Sequence, residues 1–268
     1  DGWGDNWDPS DPPIRKAGDP GEAIIGARLV DDFPRIATQW RDSDRDGWGD
    51  NFDNRSYLDN RPLFWPGILV DDAILIDAFP LDPTQYLDSD GDGYGDNSSS
   101  VTGDSCPFVY GSSRYDRMGC PDSDEDGYSD ASEDWPKHPD GMADAFPNEA
   151  TQWFDSDGDG YGDNQGENSI LPDACPNTPG NSTYDRLGCL DDDGDGASNP
   201  SSSWPASPKG NADAFPDAAS LAWRYPDRTE AELWELAAEQ WADYDGDGYG
   251  DNQGSELTDD CPFVPGTS

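Results

Sequence analysis

The sequence predicts a mostly irregular fold with low secondary structure, a linear array of aspartate-rich loops with short helical turns and no conventional core. Three observations predict it. The chain is poor in aliphatic residues, one phrase recurs almost unchanged along it, and within that phrase aspartates fall at a fixed spacing of two.

Leu, Ile, Val and Phe together number 36 of 268 residues. A highly charged chain with less than roughly 20% of these residues lacks the means to build an ordinary interior. The formal charge is −44, and 49 of the acids are Asp against 10 Glu. Asp is a poor helix former that favours turns and cation sites, so the acidity is not a solvated helical surface. A field this negative repels phosphate backbones and anionic lipid headgroups. No nucleic-acid partner is expected. No apolar run approaches the roughly 20 residues that span a bilayer, so membrane insertion is not expected either.

The recurring phrase reads DDFPRIATQWRDSDRDGWGDN from Asp31, DAFPLDPTQYLDSDGDGYGDN from Asp77 and DAFPNEATQWFDSDGDGYGDN from Asp144. A fourth copy opens at Asp213, where 19 extra residues separate DAFP from Gln240-Trp241. A second kind of unit, GCPDSDEDGYSD and GCLDDDGDGASN, lies between the later copies. The repeats divide the chain into a partial repeat and connection (1–30), a single-loop repeat (31–76), two-loop repeats (77–143 and 144–212) and a partial repeat with a helical insertion (213–268). The opening Asp1-Gly2-Trp3-Gly4-Asp5-Asn6 reads as the second half of the motif, and Asp260-Cys261-Pro262 as the start of another unit. The chain therefore reads as a piece of something longer.

Gly and Pro punctuate the sequence every few residues, which predicts turns and loops, with single helical turns at the PxxxTQW pieces. One longer helix is expected near 229–241. Thr229-Glu230-Ala231-Glu232 has capping-box spacing, and Leu233, Trp234, Leu236, Ala237 and Trp241 give it an apolar face. Such a helix either packs on neighbouring repeats or binds a partner. The recurring Phe33, Phe79, Phe146 and Phe215, with Trp40, Tyr86, Trp153 and Trp241, are expected to pack in small clusters.

Six complete loops follow the pattern DxDxDGxx. Their carboxylates are Asp42, Asp44 and Asp46; Asp88, Asp90 and Asp92; Asp122, Asp124 and Asp126; Asp155, Asp157 and Asp159; Asp191, Asp193 and Asp195; and Asp243, Asp245 and Asp247. The spacing turns alternate carboxylates toward one centre, and the glycine at the sixth position permits the bend. Carboxylates at the first, third and fifth positions, with further oxygens beyond, suit several Ca²⁺ ions better than Mg²⁺, which keeps its waters. The seventh residue would offer its backbone carbonyl: Trp48, Tyr94, Tyr128, Tyr161, Ala197 and Tyr249. The ninth would add a carboxylate: Asp50, Asp96, Asp130, Asp163 and Asp251, with Asn199 in the fifth loop, which is therefore expected to be the weakest. By the same register Asp1 and Asp5 belong to an opening half-loop.

An EF-hand reading fails, since its Glu at the twelfth position occurs only as Glu133. Ligands must then come from elsewhere. Candidates are the Asp near Cys-Pro (Asp104, Asp173, Asp260) and the Asp opening DAFP (Asp77, Asp144, Asp213), with simple turn or capping chemistry as the alternative.

The phrase DSDGDGYGD followed by Asp-x-Cys-Pro or Asp-Cys-Pro resembles thrombospondin type 3 calcium repeats and their bacterial and archaeal relatives, over most of the chain from Asp31 onward. The resemblance implies an extracellular, calcium-filled array with little regular secondary structure. The DAFP and TQW phrases, the aromatic seventh position and the wider spacing depart from the animal pattern, so the number of ions per loop does not carry over.

Equal spacing and a shared YDRxGC ending predict two local disulfides, Cys106–Cys120 and Cys175–Cys189, leaving Cys261 over. The competing zinc site has one histidine and wide Cys spacing against it. Disulfides place a protein outside the cytosol. Asn54, Asn97 and Asn181 head N-glycosylation sequons, which makes glycans possible.

The leading functional expectation is a structural, non-enzymatic segment of an extracellular calcium-stabilised fibre, stalk or surface filament, its partners being calcium and further repeats or copies of itself. The alternatives are a calcium-dependent adhesin or carbohydrate-binding module, or a spacer in a larger secreted protein. A hydrolase using paired Asp is the least supported, because the cation loops already account for the pairs.

Overall fold

A computed structural model describes residues 3–10, 12–13, 19–54, 64–222, 225–255 and 258–266. It divides into two compact units, Asp1–Asp130 and Ala131–Ser268, the division falling within the 77–143 repeat. Regular secondary structure among the described residues is limited to two short helices, α1 (Ala218–Ala222) and α2 (Glu230–Ala237), and ten isolated β-bridges.

In the first unit the backbone is a succession of turns tied by single bridges, Gly4 with Val30, Gly49 with Ile76 and Gly95 with Gly103. The second unit repeats the scheme with Gly162 and Pro172, and Gly250 and Thr258. Each of these bridges joins the eighth residue of a loop, or of the opening half-loop, to the strand-like residues just before the next Asp-x-Phe-Pro or Asp-x-Cys-Pro turn.

The interior is polar. The largest fully buried side chains include Gln39, Gln85, Gln152, Asp50, Asp77, Asp104, Asp173 and Asp213. Among the described residues, buried hydrophobic side chains are mostly Ala and Cys, and the one cluster of larger ones is Phe215, Leu221, Leu233 and Leu236 with Ala218 and Ala237. That cluster is where α1 packs on α2. The N-cap of α2 is Thr229, which forms the predicted capping box with Glu232. The helix stops at Ala237 rather than reaching Trp241, because the last residues are taken up by the repeat itself: Gln240 is buried against the following loop. Helix α1 was not expected from the residue pattern. The TQW pieces form single turns, as in Ile36 N–H to Phe33 O and Gln39 N–H to Ile36 O, at 2.8 and 3.0 Å.

One bond closes the turn in every copy: Asp32 N–H to Trp40 O, Ala78 to Tyr86, Ala145 to Trp153 and Ala214 to Trp241, at 3.1, 2.9, 3.0 and 3.0 Å. The fourth is as short as the others although the insertion lies inside it.

Both expected disulfides form, with Cα–Cα distances of 5.0 Å for Cys106–Cys120 and 5.1 Å for Cys175–Cys189. This removes zinc ligation by those four thiols. Among the described residues no helix is long and apolar enough to cross a membrane, and paired disulfides of this kind belong to oxidising compartments.

Candidate metal centres

Each loop is a closed nine-residue ring. Its neck is shut by the ninth N–H bonding the carbonyl just before the first Asp, as in Asp50 to Arg41, Asp96 to Leu87, Asp130 to Pro121, Asp163 to Phe154, Asn199 to Leu190 and Asp251 to Ala242. The first Asp accepts from the fourth and sixth N–H groups: Asp155 holds Gly158 and Gly160 at 2.7 and 3.0 Å, and Asp42 holds Arg45 and Gly47 at 2.6 and 3.0 Å. Both donors need positive φ. Glycine supplies it at the sixth position, but at the fourth Arg45 (φ 70) and Glu125 (φ 65) adopt it with a Cβ, a conformation that costs energy for such residues.

The third and fifth carboxylates turn inward. The seventh N–H holds the outer oxygen of the fifth Asp in all six loops, for example Tyr94 to Asp92 and Tyr161 to Asp159 at 2.8 and 2.9 Å. In the first five loops one oxygen from each of the three Asp lies within 4.8 Å of the others. These clusters can hold metal ions.

A fourth carboxylate reaches each complete cluster that lies within one unit, apart from the third loop. It comes from a turn with the common form Asp-x-(Phe/Cys)-Pro: Asp77 for the first loop, Asp104 for the second, Asp173 for the fourth, Asp213 for the fifth and Asp259 for the sixth. Each sends its N–H to the eighth carbonyl, at 2.9, 2.7, 2.8, 3.0 and 2.7 Å. One of its carboxylate oxygens takes the N–H of the Phe or Cys two residues on. The other oxygen is buried and accepts no hydrogen bond, in Asp77, Asp104, Asp173, Asp213 and Asp259 alike. One oxygen of each thus meets the turn-chemistry reading, and the other is left able to face a cation. At the last turn Asp259 occupies this place and Asp260 is exposed, a one-residue correction to the sequence expectation. Asp144, in the second unit, is fully buried and holds Phe146 N–H at 2.8 Å.

The buried oxygens without partners continue round each cluster: Asp44, Asp46, Asp90, Asp126, Asp157, Asp193, Asp195 and Asp245 each contribute at least one. A buried charged oxygen left unpaired is costly, so this pattern, repeated from loop to loop, outlines cages able to hold a cation. The electrostatics agree. Burial, with Asp46, Asp44 and Asp50 nearby, pushes the Asp77 carboxyl up to about 8. Burial with Asp195, Asp193 and Asp191 does the same for Asp213, and Asp195 rises to about 7.

The fifth carboxylate separates two classes of loop. In the second, fourth and sixth its inner oxygen takes a glycine N–H, Gly111 to Asp92, Gly180 to Asp159 and Gly266 to Asp247, at 3.2, 2.9 and 2.6 Å. In the first, third and fifth, Asp46, Asp126 and Asp195 keep that oxygen unpartnered. Gly111 and Gly180 lie inside the disulfide loops, whose Cys106 and Cys175 N–H groups also hold Asp104 and Asp173. Each disulfide loop is therefore wrapped round one cage.

The ninth residue has a structural task of its own. Asp50 accepts from Ser43 N–H at 3.1 Å and Ser43 Oγ at 2.7 Å, and Asp96, Asp130 and Asp163 hold Ser89, Ser123 and Ser156 in the same way. The pair is a clamp across the ring. In the fifth loop its two chemistries are exchanged: Asn199 Oδ1 accepts from Asp192 N–H, and Asn199 Nδ2 donates to Asp192 Oδ2 at 2.8 Å. Asn199 therefore gives no reason for that loop to be the weakest. Replacing Asp192 by Ser, or Asn199 by Asp, is expected to lower the denaturation free energy by about 1 kcal/mol each, while the double change restores the Ser–Asp clamp and recovers most of it. Additive losses in that double-mutant cycle would refute the clamp.

Sequence reasoning missed the glutamine of the TQW phrase. Gln39, Gln85, Gln152 and Gln240 are 0, 0, 1 and 2% exposed. Each accepts from the N–H of the Asn after the ring and donates to that residue's carbonyl: Gln152 holds Asn164 at 2.9 and 3.0 Å, with Ile170 O at 3.1 Å. The Asn side chain answers by donating to the preceding Thr carbonyl, Asn51 to Thr38, Asn97 to Thr84 and Asn164 to Thr151. The eighth residue must be Gly here, because a Cβ on Gly162 would lie 2.1 Å from Gln152 Oε1. Where the eighth residue is Ser129 or Ser198 there is no Gln, and Asp116 or Asp185 of the YDR phrase holds it through both N–H and Oγ. Its recurrence in four copies was the visible sign.

Of the remaining expectations, Asp1 lies outside the described residues, and Asp5 is half-buried in the opening half-loop, beneath the Gly4–Val30 bridge. Glu133 is exposed and belongs to the second unit, whereas the third loop belongs to the first. Asn54 is exposed, but Arg55 and Ser56 of its sequon lie outside the described residues. Asn97 is tied up in its bond to Thr84, and Asn181 is exposed. Ring stacks link seventh-position aromatics to the next TQW or TQY ring: Trp3 to Trp40 at 6.4 Å and Trp48 to Tyr86 at 4.8 Å. Where the seventh residue is Ala197, Tyr184 meets Trp241 instead, at 5.8 Å.

Comparison with family models, with curated proteins and with solved structures finds no match for this chain.

Proposed function

We propose that the chain is a structural, non-enzymatic repeat segment of an extracellular fibre, stalk or surface filament, in which calcium ions serve as the core. The observation that carries this reading is the set of buried carboxylate oxygens without hydrogen-bond partners, recurring at the same positions from loop to loop. Oxygen-only donors and the grouping of several carboxylates favour Ca²⁺ over transition metals, which would select imidazole or thiolate. The first, third and fifth Asp would hold the ion, joined by the Asp of the Asp-x-(Phe/Cys)-Pro turn and the seventh carbonyl. The likeness to thrombospondin type 3 repeats supports the same assignment, and the disulfides support an exterior setting.

The loops act as ties, not as a reaction centre: five of the six hold the Asp-x-(Phe/Cys)-Pro turn that follows them. Imaging of the protein at millimolar calcium tests the filament reading. Extended, repeat-on-repeat particles that collapse with chelator are the expected result, and isolated globules at every calcium level would count against it.

A further inference from the structure

The sixth loop departs from the clamp described above. Its second residue is Tyr244, whose N–H bonds Asp251 Oδ2 but whose ring turns outward, 58% exposed, and stacks on Phe263 at 5.8 Å. No hydroxyl or amide takes the place that Ser43, Ser89, Ser123, Ser156 or Asn199 fills elsewhere. Asp251 Oδ1 is consequently left without a hydrogen-bond partner, on a side chain only 9% exposed. Among the ninth-position residues it is the one whose oxygen appears among the buried, unpartnered atoms. Burial holds its carboxyl above the usual range, and the neighbouring charges that add to the effect are Asp243, Asp259 and Asp245, the members of this cage.

We propose that Asp251 is a direct cation ligand and that the sixth loop is the highest-affinity site of the chain within its class, the ninth residue being a ligand here and a clamp elsewhere. The proposal rests on the calcium reading above. The second and fourth loops are the proper references, since all three have the fifth carboxylate capped by a glycine N–H. Against them the sixth has one more carboxylate group with a buried, unpartnered oxygen, and in calcium loops the number of charged ligands tunes affinity over decades.

The test is hydrogen-exchange mass spectrometry on the full 268-residue chain, titrated with free calcium, which gives a separate midpoint for each ring. Residues 243–252 are expected to become protected at lower calcium than the second and fourth loops. Asp251→Asn is expected to raise the sixth-loop midpoint roughly tenfold, with the other midpoints unmoved. Asp96→Asn, which keeps its bonds to Ser89, is expected to shift the second loop far less. Tyr244→Ser supplies the missing hydroxyl, draws Asp251 Oδ1 into the clamp and is expected to raise the sixth-loop midpoint as well, while leaving the ring closed. Equal shifts in Asp251→Asn and Asp96→Asn, or an unmoved midpoint in Tyr244→Ser, would overturn the assignment and leave the calcium reading intact. Failure of every loop to respond to calcium would overturn both.

Discussion

Chelation of calcium at pH 8 is expected to unfold both units. Without cations the cages bring together carboxylates that oppose one another within a chain of charge −44, and little apolar burial opposes their repulsion. The radius of gyration in solution scattering should rise toward the roughly 57 Å of an unfolded chain of this length, less the restraint of the disulfides, and near-ultraviolet dichroism of the stacked Trp and Tyr should vanish. At a free-ion level 100 times Kd each independent site adds about 2.7 kcal/mol, so a few sites equal the ~5 to 15 kcal/mol of an ordinary domain.

The pH dependence follows with a definite sign. Asp77 and Asp213 titrate at about 8 when folded, and Asp44, Asp92, Asp126, Asp173 and Asp193 at about 6, against 3.8 ordinarily. The folded, cation-free chain thus binds more protons than the unfolded one. Its stability is fully present below about pH 3.8 and is lost as pH rises through 6 to 8. Calcium is expected to reverse the trend, because its binding would require the same carboxylates ionised. Chelated protein is therefore expected to be most compact near pH 4 and calcium-loaded protein near neutrality. A chelated sample that holds its dichroism and melting temperature at pH 8 would refute the role assigned to the ions.

The largest expected effect of a single side chain is at the buried glutamines. Gln152→Ala removes an enclosed side chain and the groups that satisfy Asn164 N–H, Asn164 O and Ile170 O, whose bonds are partly buried. Each unsatisfied buried group costs about 1 to 3 kcal/mol, and the cavity adds to it, so the second unit should lose about 3 kcal/mol or more in calcium-saturated denaturation. Gln152→Glu keeps the shape but turns a carboxylate oxygen toward two carbonyls, and should be no better. A denaturation midpoint within error of the parent for either change would show that the glutamine merely fills space.

Much of this was legible in the residues. The aspartate spacing gave the rings, the repeat of YDRxGC gave the disulfides, and the Thr229–Glu232 pair gave the start of α2. What stayed hidden was division of labour among similar groups. A ninth-position Asp looks the same in sequence whether or not a Ser such as Ser43 occupies its oxygens, and only the geometry of the ring tells the two cases apart. The register of Asp259 was missed because Asp260 abuts Cys-Pro, yet the carboxylate must lie two residues before the N–H it caps. Gln39 and its equivalents escaped because a polar side chain at the centre of a repeat is the reverse of the usual pattern. The end of α2 was overrun because its apolar periodicity continues into residues that the next loop claims.

The bond from Ala214 to Trp241 holds the same geometry as that from Ala145 to Trp153, although one spans the α1–α2 hairpin and the other a simple turn. The two rims of that turn are pinned by the surrounding repeat, and lengthening a loop whose ends are already fixed costs little entropy. This place in the repeat is accordingly a socket. A foreign peptide, enzyme or affinity tag could be seated there in any copy, which would turn the array into a scaffold that displays cargo at chosen intervals.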